Sequence, residues 1–138
     1  MSSKFEVQTA LFSALTSSST LMSAINNNIY DHMPDNSGYP YVALAACSTL
    51  PANRHGRKGW RHLFTFEVAT QPGTLGSYTR EAIAGEIDKV LNLKTFNLTT
   101  TAYNLVKGQL VSDNDYEDND IRGKNITYDF TVHDSTDL

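Results

Sequence analysis

Two stretches of alternation, far apart in the chain, dictate that it builds a sheet. From Trp60 to Thr70 the even positions Trp60, Phe64, Phe66 and Val68 are large and apolar, with Arg61, Thr65 and Glu67 between them. Ile126, Tyr128, Phe130 and Val132 alternate in the same way with Thr127, Asp129, Thr131 and His133. A side-chain period of two puts each set on one face, so both stretches predict strands with one face on a core. His62 falls in phase with Trp60 and Phe64, where a satisfied, semi-buried histidine is the expected state.

A third strand follows Tyr39-Pro40, because the residue before a proline is pushed toward extended geometry. Asp35, Asn36, Ser37 and Gly38 form a reversal ahead of it. From Tyr41 to Cys47 small or apolar residues fill both alternate sets, which predicts a central strand covered on both faces. Leu50 to Gly59, with Pro51, Gly56, Arg54, His55, Arg57 and Lys58, reads as a long, exposed, basic loop, and Arg61 continues its charge. That loop and the Trp60–Thr70 strand make a hairpin plausible. Phe96–Leu98 is a candidate short strand, and Tyr103–Val111 a longer one that Gly108 bulges or bends.

Helices flank these strands. Ser3 with Glu6 has the form of a capping box, and Val7, Ala10, Leu11, Ala14 and Leu15 follow at helical spacing. Phe5 and Phe12 fall together on roughly the opposite side of that helix, as a second apolar stripe suited to a partner unless Phe5 folds back onto its own domain. Ser17 to Thr20 should end the helix, since such side chains compete for backbone hydrogen bonds, and a short turn through Leu21, Met22 and Ile25 follows. After Gln71-Pro72-Gly73, the residues Leu75, Tyr78, Ala82, Ile83, Ile87, Val90 and Leu91 keep helical spacing, with Asn92 as the stop. Gly85 inside this run costs about 1 kcal/mol against alanine, and close approach of another backbone would account for it. The order predicts one α+β domain over 1–138, with a mixed or mostly antiparallel sheet and helices packed on it.

The 138 residues suffice for one core, and a net charge of −4 gives no whole-molecule attraction to nucleic acid or anionic membrane. The single cysteine, Cys47, excludes an internal disulfide and reads as a small buried hydrophobe. Neither a charged-then-apolar leader nor an apolar run of bilayer length is present, which predicts a soluble protein made in the cytoplasm.

No residue pattern points to catalysis, a cofactor or a metal. His32, His55, His62 and His133 are dispersed, without zinc-ligand spacing. Gly56-Arg57-Lys58-Gly59 lacks the Walker spacing, and the Asp113–Asp120 run lacks the glycine and final glutamate of an EF-hand loop. What stands out is charge. Arg54, Arg57, Lys58 and Arg61 make a basic surface, while Asp113, Asp115, Glu117, Asp118 and Asp120 make an acidic loop over 113–120. Either each is simply solvated, or one subunit's basic loop docks head-to-tail on a neighbour's acidic loop and the contacts close into a ring. Contact of the basic loop with nucleic acid is a third possibility, with only Trp60 as aromatic interleaving. The tail over 134–138 is expected to fray.

The segment IYDHMPDNSGYPYVALA, the strand HLFTFEVATQPGT, the helix SYTREAIAGEIDKVLN and the closing IRGKNITYDFTVHD together resemble the tail-completion or tail-terminator proteins of long-tailed bacteriophages. Tyr30-Asp31, Tyr39-Pro40-Tyr41 and Gly73 match family positions, whereas Ala69-Thr70-Gln71 stands where the family often has a Trp-Ser-Arg type ending. The resemblance implies a non-enzymatic virion protein, assembled in the host cytoplasm. It would form a homohexameric ring on the head-proximal end of the tail tube, stop tube growth and join the tail to the head connector. Its partners would be copies of itself, the tail-tube protein and the connector protein, with DNA passing through the opening without sequence reading. The alternatives are a head-tail connector or tail-tube subunit, and beyond those a small nucleic-acid-binding module.

Overall fold

The computed structural model describes residues 3–25, 28–30, 40–53, 58–70, 76–92, 103–118 and 121–134. Helices α1 (Ser3–Thr16) and α2 (Ser19–Ala24) precede β1 (Ile29–Tyr30), β2 (Tyr41–Pro51) and β3 (Gly59–Thr70). Helix α3 (Gly76–Leu91), β4 (Tyr103–Asp118) and β5 (Ile121–Asp134) follow. Among the described residues the strands form one open, mixed sheet in the order β1-β2-β3-β5-β4, parallel between β1 and β2 and antiparallel elsewhere. The fold is a single α+β domain.

The two alternating stretches form adjacent strands. Every residue of β3 pairs with β5, from Gly59 opposite His133 to Thr70 opposite Arg122. Phe64, Phe66 and Val68 of β3 and Ile126, Tyr128, Phe130 and Val132 of β5 are buried beneath the helices, and Phe64 meets Phe130 edge-on at 6.0 Å. Val7, Leu11, Leu15, Leu21, Ile25, Ile83, Ile87 and Leu91 are the helical side of the same core. Each such side chain stabilises the fold by about 1.5–3 kcal/mol relative to exposure.

Local chemistry explains the helix ends. Thr16 Oγ1 donates to the Phe12 carbonyl at 2.8 Å and Ser17 Oγ to the Ser13 carbonyl at 2.8 Å, so the Ser/Thr stretch diverts the backbone as expected. Ser18, in extended conformation, caps α2 by accepting from Leu21 N.

Five expectations are corrected. Strand β2 is not central: only Tyr41, Val42 and Ala43 are buried, and after a register shift between Leu44 and Ala46 most of the strand is exposed. Small residues such as Ala43, Ala45 and Ala46 suit either environment, so their pattern does not fix a burial. Cys47 is accordingly half-buried against the core edge. Phe12 is not on a free face, because it packs edge-on against Phe66 at 6.3 Å, whereas Phe5 is 53% exposed. Residues 113–118 form no loop: they continue β4. Finally, a Cβ on Gly85 would meet nothing within 4 Å, so no backbone of the described residues approaches it. The register shifts in β4 flank Gly108 at Leu105/Lys107 and Leu110/Ser112, and the Phe96–Leu98 stretch lies outside the described residues, as does 135–138.

His62 is 1% exposed, with Nδ1 3.0 Å from Thr49 Oγ1. Burial, and then the charge of Lys4, push its pKa down to about 4 from the ordinary 6.5. The neutral ring is therefore the folded form, and its contribution to stability is present above pH 6.5 and lost as pH falls through about 4. In His62→Gln the loss of stability between pH 6.5 and pH 4 should be visibly shallower in denaturant titrations, and an unchanged slope would contradict this. Phe12→Asp should lower stability by about 2 kcal/mol or more, a fall of about 6 °C or more in melting temperature. An unchanged melting temperature would return Phe12 to the surface.

Candidate assembly interface

The acidic residues sit on the outer strand of the sheet, and alternation divides them. Asp113, Asp115 and Glu117 pair across with Ile126, Lys124 and Arg122, which puts them on the helix side. Asn114 and Tyr116 point to the other face. Two cations meet the acidic set. The side chain of Lys124 is only 5% accessible, and its Nζ lies 2.7 Å from Asp113 Oδ1, 2.9 Å from Asp115 Oδ1 and 3.0 Å from Glu81 Oε1. Arg80 donates from Nη1 to the Gly123 carbonyl at 3.3 Å, and its Nη2 lies 3.6 Å from Asp115 Oδ2. Burial disfavours the Lys124 charge, but hydrogen bonds to Asp113, Asp115 and Glu81 outweigh it and hold the amine above the ordinary lysine range. The Lys124 hydrogen bond likewise holds the Asp115 carboxyl below its usual range.

Further along α3, Tyr128 Oη donates to Asp88 Oδ1 at 3.1 Å, and Leu110 N donates to Asn92 Oδ1 at 2.9 Å. Burial, followed by the Asp88 charge, raises the Tyr128 pKa well above the ordinary tyrosine range, so its hydroxyl is a fixed donor. Helix α3 is thus tied to β4 and β5 at both ends and in the middle.

The sheet face away from the helices carries its own polar clasp. Glu67 of β3 accepts from Tyr41 Oη at 3.2 Å on one oxygen and from Tyr116 Oη at 2.5 Å on the other, linking β2 to β4 across the sheet. Tyr116 can cross because Gly123 lies beneath its ring: a Cβ there would collide with it.

The basic set divides as well. Arg61 Nε and Nη2 donate to Asp129 Oδ2 at 3.0 and 2.6 Å, so this guanidinium is engaged on the sheet face, with Asp129 buried beneath it. Lys58 is exposed at the start of the hairpin's second strand. Arg54, Arg57 and Asp120 lie outside the described residues, and Asp118 ends β4. The hairpin joining β2 to β3 and the one joining β4 to β5 leave the sheet at opposite ends of β3. Val68, opposite Lys124, is about 30 Å along the strand from Gly59. Lys58, next to Gly59, and the acid-rich strand therefore lie toward opposite ends of β3.

Lys124, Arg80, Glu81 and Asp88 escaped the sequence reading, although two of them carry a signal. Lys124 is in phase with the buried Ile126, Tyr128 and Phe130, and Arg80 precedes Ile83 and Ile87 at helical spacing. A cation in register with a core face needs an anionic partner, and the acidic run is the nearest supply in the chain. Among the described residues no group of three or more His, Cys, Asp or Glu is placed to hold a metal ion, and no helix is long and apolar enough to cross a membrane. Lys124→Met should lower stability by about 1 kcal/mol at neutral pH, because three half-exposed carboxylates lose the cation they share and are left to repel one another. Chemical denaturation would show this, and a loss below about 0.5 kcal/mol would mean the cluster is merely solvated.

The fold and the charge layout can be set beside known proteins. No curated protein sequence matches the chain significantly. A chain from the solved virion of a native gene transfer agent particle has a similar fold, with a TM-score of 0.80, 21% identity, and coverage of 93% of this chain and 95% of that one. The model of the family described as tail completion protein gp17 matches residues 9–133. The chain belongs to that family and is a structural protein of a phage-type tail.

Proposed function

We propose that this protein forms a homohexameric ring on the head-proximal end of the tail tube, ends tube growth there and joins the tail to the head connector. The observation that carries the reading is the family match over residues 9–133. The separated charges add a physical route to the ring. The Gly59 end of β3, where the basic segment joins the sheet, and Asp115, beside Lys124 opposite Val68, are about 30 Å apart along the sheet; contact between neighbours would bring the two charges together, and a repeated head-to-tail contact closes when the rotation allows.

The lasting candidates for subunit contact are Phe5, Arg54, Arg57, Lys58, Glu117, Asp118 and Asp120, while Phe12 and Arg61 act within the domain. Once closed, one ring face matches the last layer of tube, and the other offers a surface that the connector can use and tube subunits cannot. DNA passes through the opening without sequence reading. The Arg61–Asp129 pair weakens the case for a nucleic-acid-binding module, since one of its four basic residues is already engaged.

Particles assembled without this protein should carry headless tubes of uncontrolled length by electron microscopy. Tails of normal length joined to heads would overturn the reading. Long tubes grown from the purified protein alone would point to a tube subunit instead.

A further inference from the structure

Between α3 and the β4–β5 hairpin lies a groove of about 260 Å³. That is below the range of about 300–1,000 Å³ usual for small-molecule sites, and it suits a single side chain. Its wall is apolar at Ala84, Ile126 and Tyr128 and carboxylate-bearing at Glu81, Asp88 and Asp113. Leu110, 38% exposed on the outer strand, also lines it. Apolar surface beneath carboxylates fits a long basic side chain, whose stem packs while its head pairs.

Gly85 is the second observation. It lines the same groove from the exposed side of α3, within the helix, where glycine costs about 1 kcal/mol against alanine. A Cβ there would meet nothing within 4 Å, so internal packing among the described residues does not require the glycine. The space it leaves is open to something outside the fold.

Charge names the occupant. Lys124 sits between Glu81, Asp113 and Asp115, and Arg80 lies against Asp115, yet Asp88 has no cation among the described residues, only the Tyr128 hydroxyl. Two cations face four carboxylates, and the groove keeps an excess of negative charge. The complementary segment is Arg54-His55-Gly56-Arg57-Lys58, which joins β3 at Gly59, about 17–23 Å along the strand from Phe64 and Phe66, the pairing partners of the groove residues Tyr128 and Ile126. We propose that the α3–β4 groove is the socket into which a second copy inserts a basic side chain of its 54–58 segment, with Gly85 left bare to admit it. This rests on the ring reading, and it identifies the acceptor as this groove instead of the acidic run as a whole. The ties from α3 to β4 and β5 hold the socket open before binding, so little ordering is lost on contact.

Sedimentation velocity and thermal unfolding of the full-length protein test this. Gly85→Leu should raise the melting temperature of the subunit and yet weaken self-association by about tenfold or more, two opposite shifts that a purely structural glycine would not give. Asp88→Arg and Arg57→Glu should each weaken association, and the two together should restore most of it. Wild-type-like association of Gly85→Leu, or a double variant no better than the single ones, would overturn the socket while leaving the ring intact. A wild-type protein that stays monomeric at every concentration would overturn the ring and the socket with it.

Discussion

The pairing of β3 with β5 is the contact on which the rest of the molecule depends. It runs the full length of β3 without a register shift, while β2 and β4, the strands outside it, both carry shifts. A slip of one residue would turn one strand's apolar set, Phe64, Phe66 and Val68 or Ile126, Tyr128 and Phe130, away from the helices and bring that strand's polar set, Arg61, Thr65 and Glu67 or Thr127 and Asp129, beneath them. The core therefore fixes the register, and the register in turn places Lys124 opposite Val68 and next to Asp115. The charged cluster is a consequence of the core, not a separate feature added at the surface.

That cluster makes the outer strand more than a margin of the sheet. An edge strand rich in carboxylates would ordinarily be held apart by its own charge. Here Lys124 and Arg80 lie between Asp113, Asp115 and Glu81, and α3 becomes fastened to β4 and β5 along its length. On the opposite face the two tyrosine hydroxyls on Glu67 reach across from β2 and β4. A structural part of a tail must present a fixed shape to its neighbours, and ties on both faces of the sheet provide one. In the proposed ring the contacts with partners fall to the chain between β2 and β3, to Phe5, and to the groove beside Gly85.

Much of this is legible in the residues. The alternation at 60–70 and 126–133 and the helical spacing after Gly73 place the core, since period and burial are linked by geometry alone. The sequence resemblance and the family match agree on a tail-completion protein. Less legible is β2, because small residues at 43–47 carry no preference for inside or outside. The acidic run reads as a solvated loop until its own alternation is set against Lys124, a pairing that exists only once the β4–β5 hairpin has formed. Phe12 misleads for a similar reason: a helix lying on a sheet beside two other helices buries a wider arc than one apolar stripe.

The molecule works, on this view, by the surfaces it offers to its own copies and to adjoining virion parts. Electron cryomicroscopy of the neck of the assembled particle tests that most directly. The predicted result is a single layer of six copies between tube and connector, each with its β2–β3 connection against the α3–β4 groove of the next. Copies stacked repeatedly along the tube, or absent from the neck altogether, would contradict it.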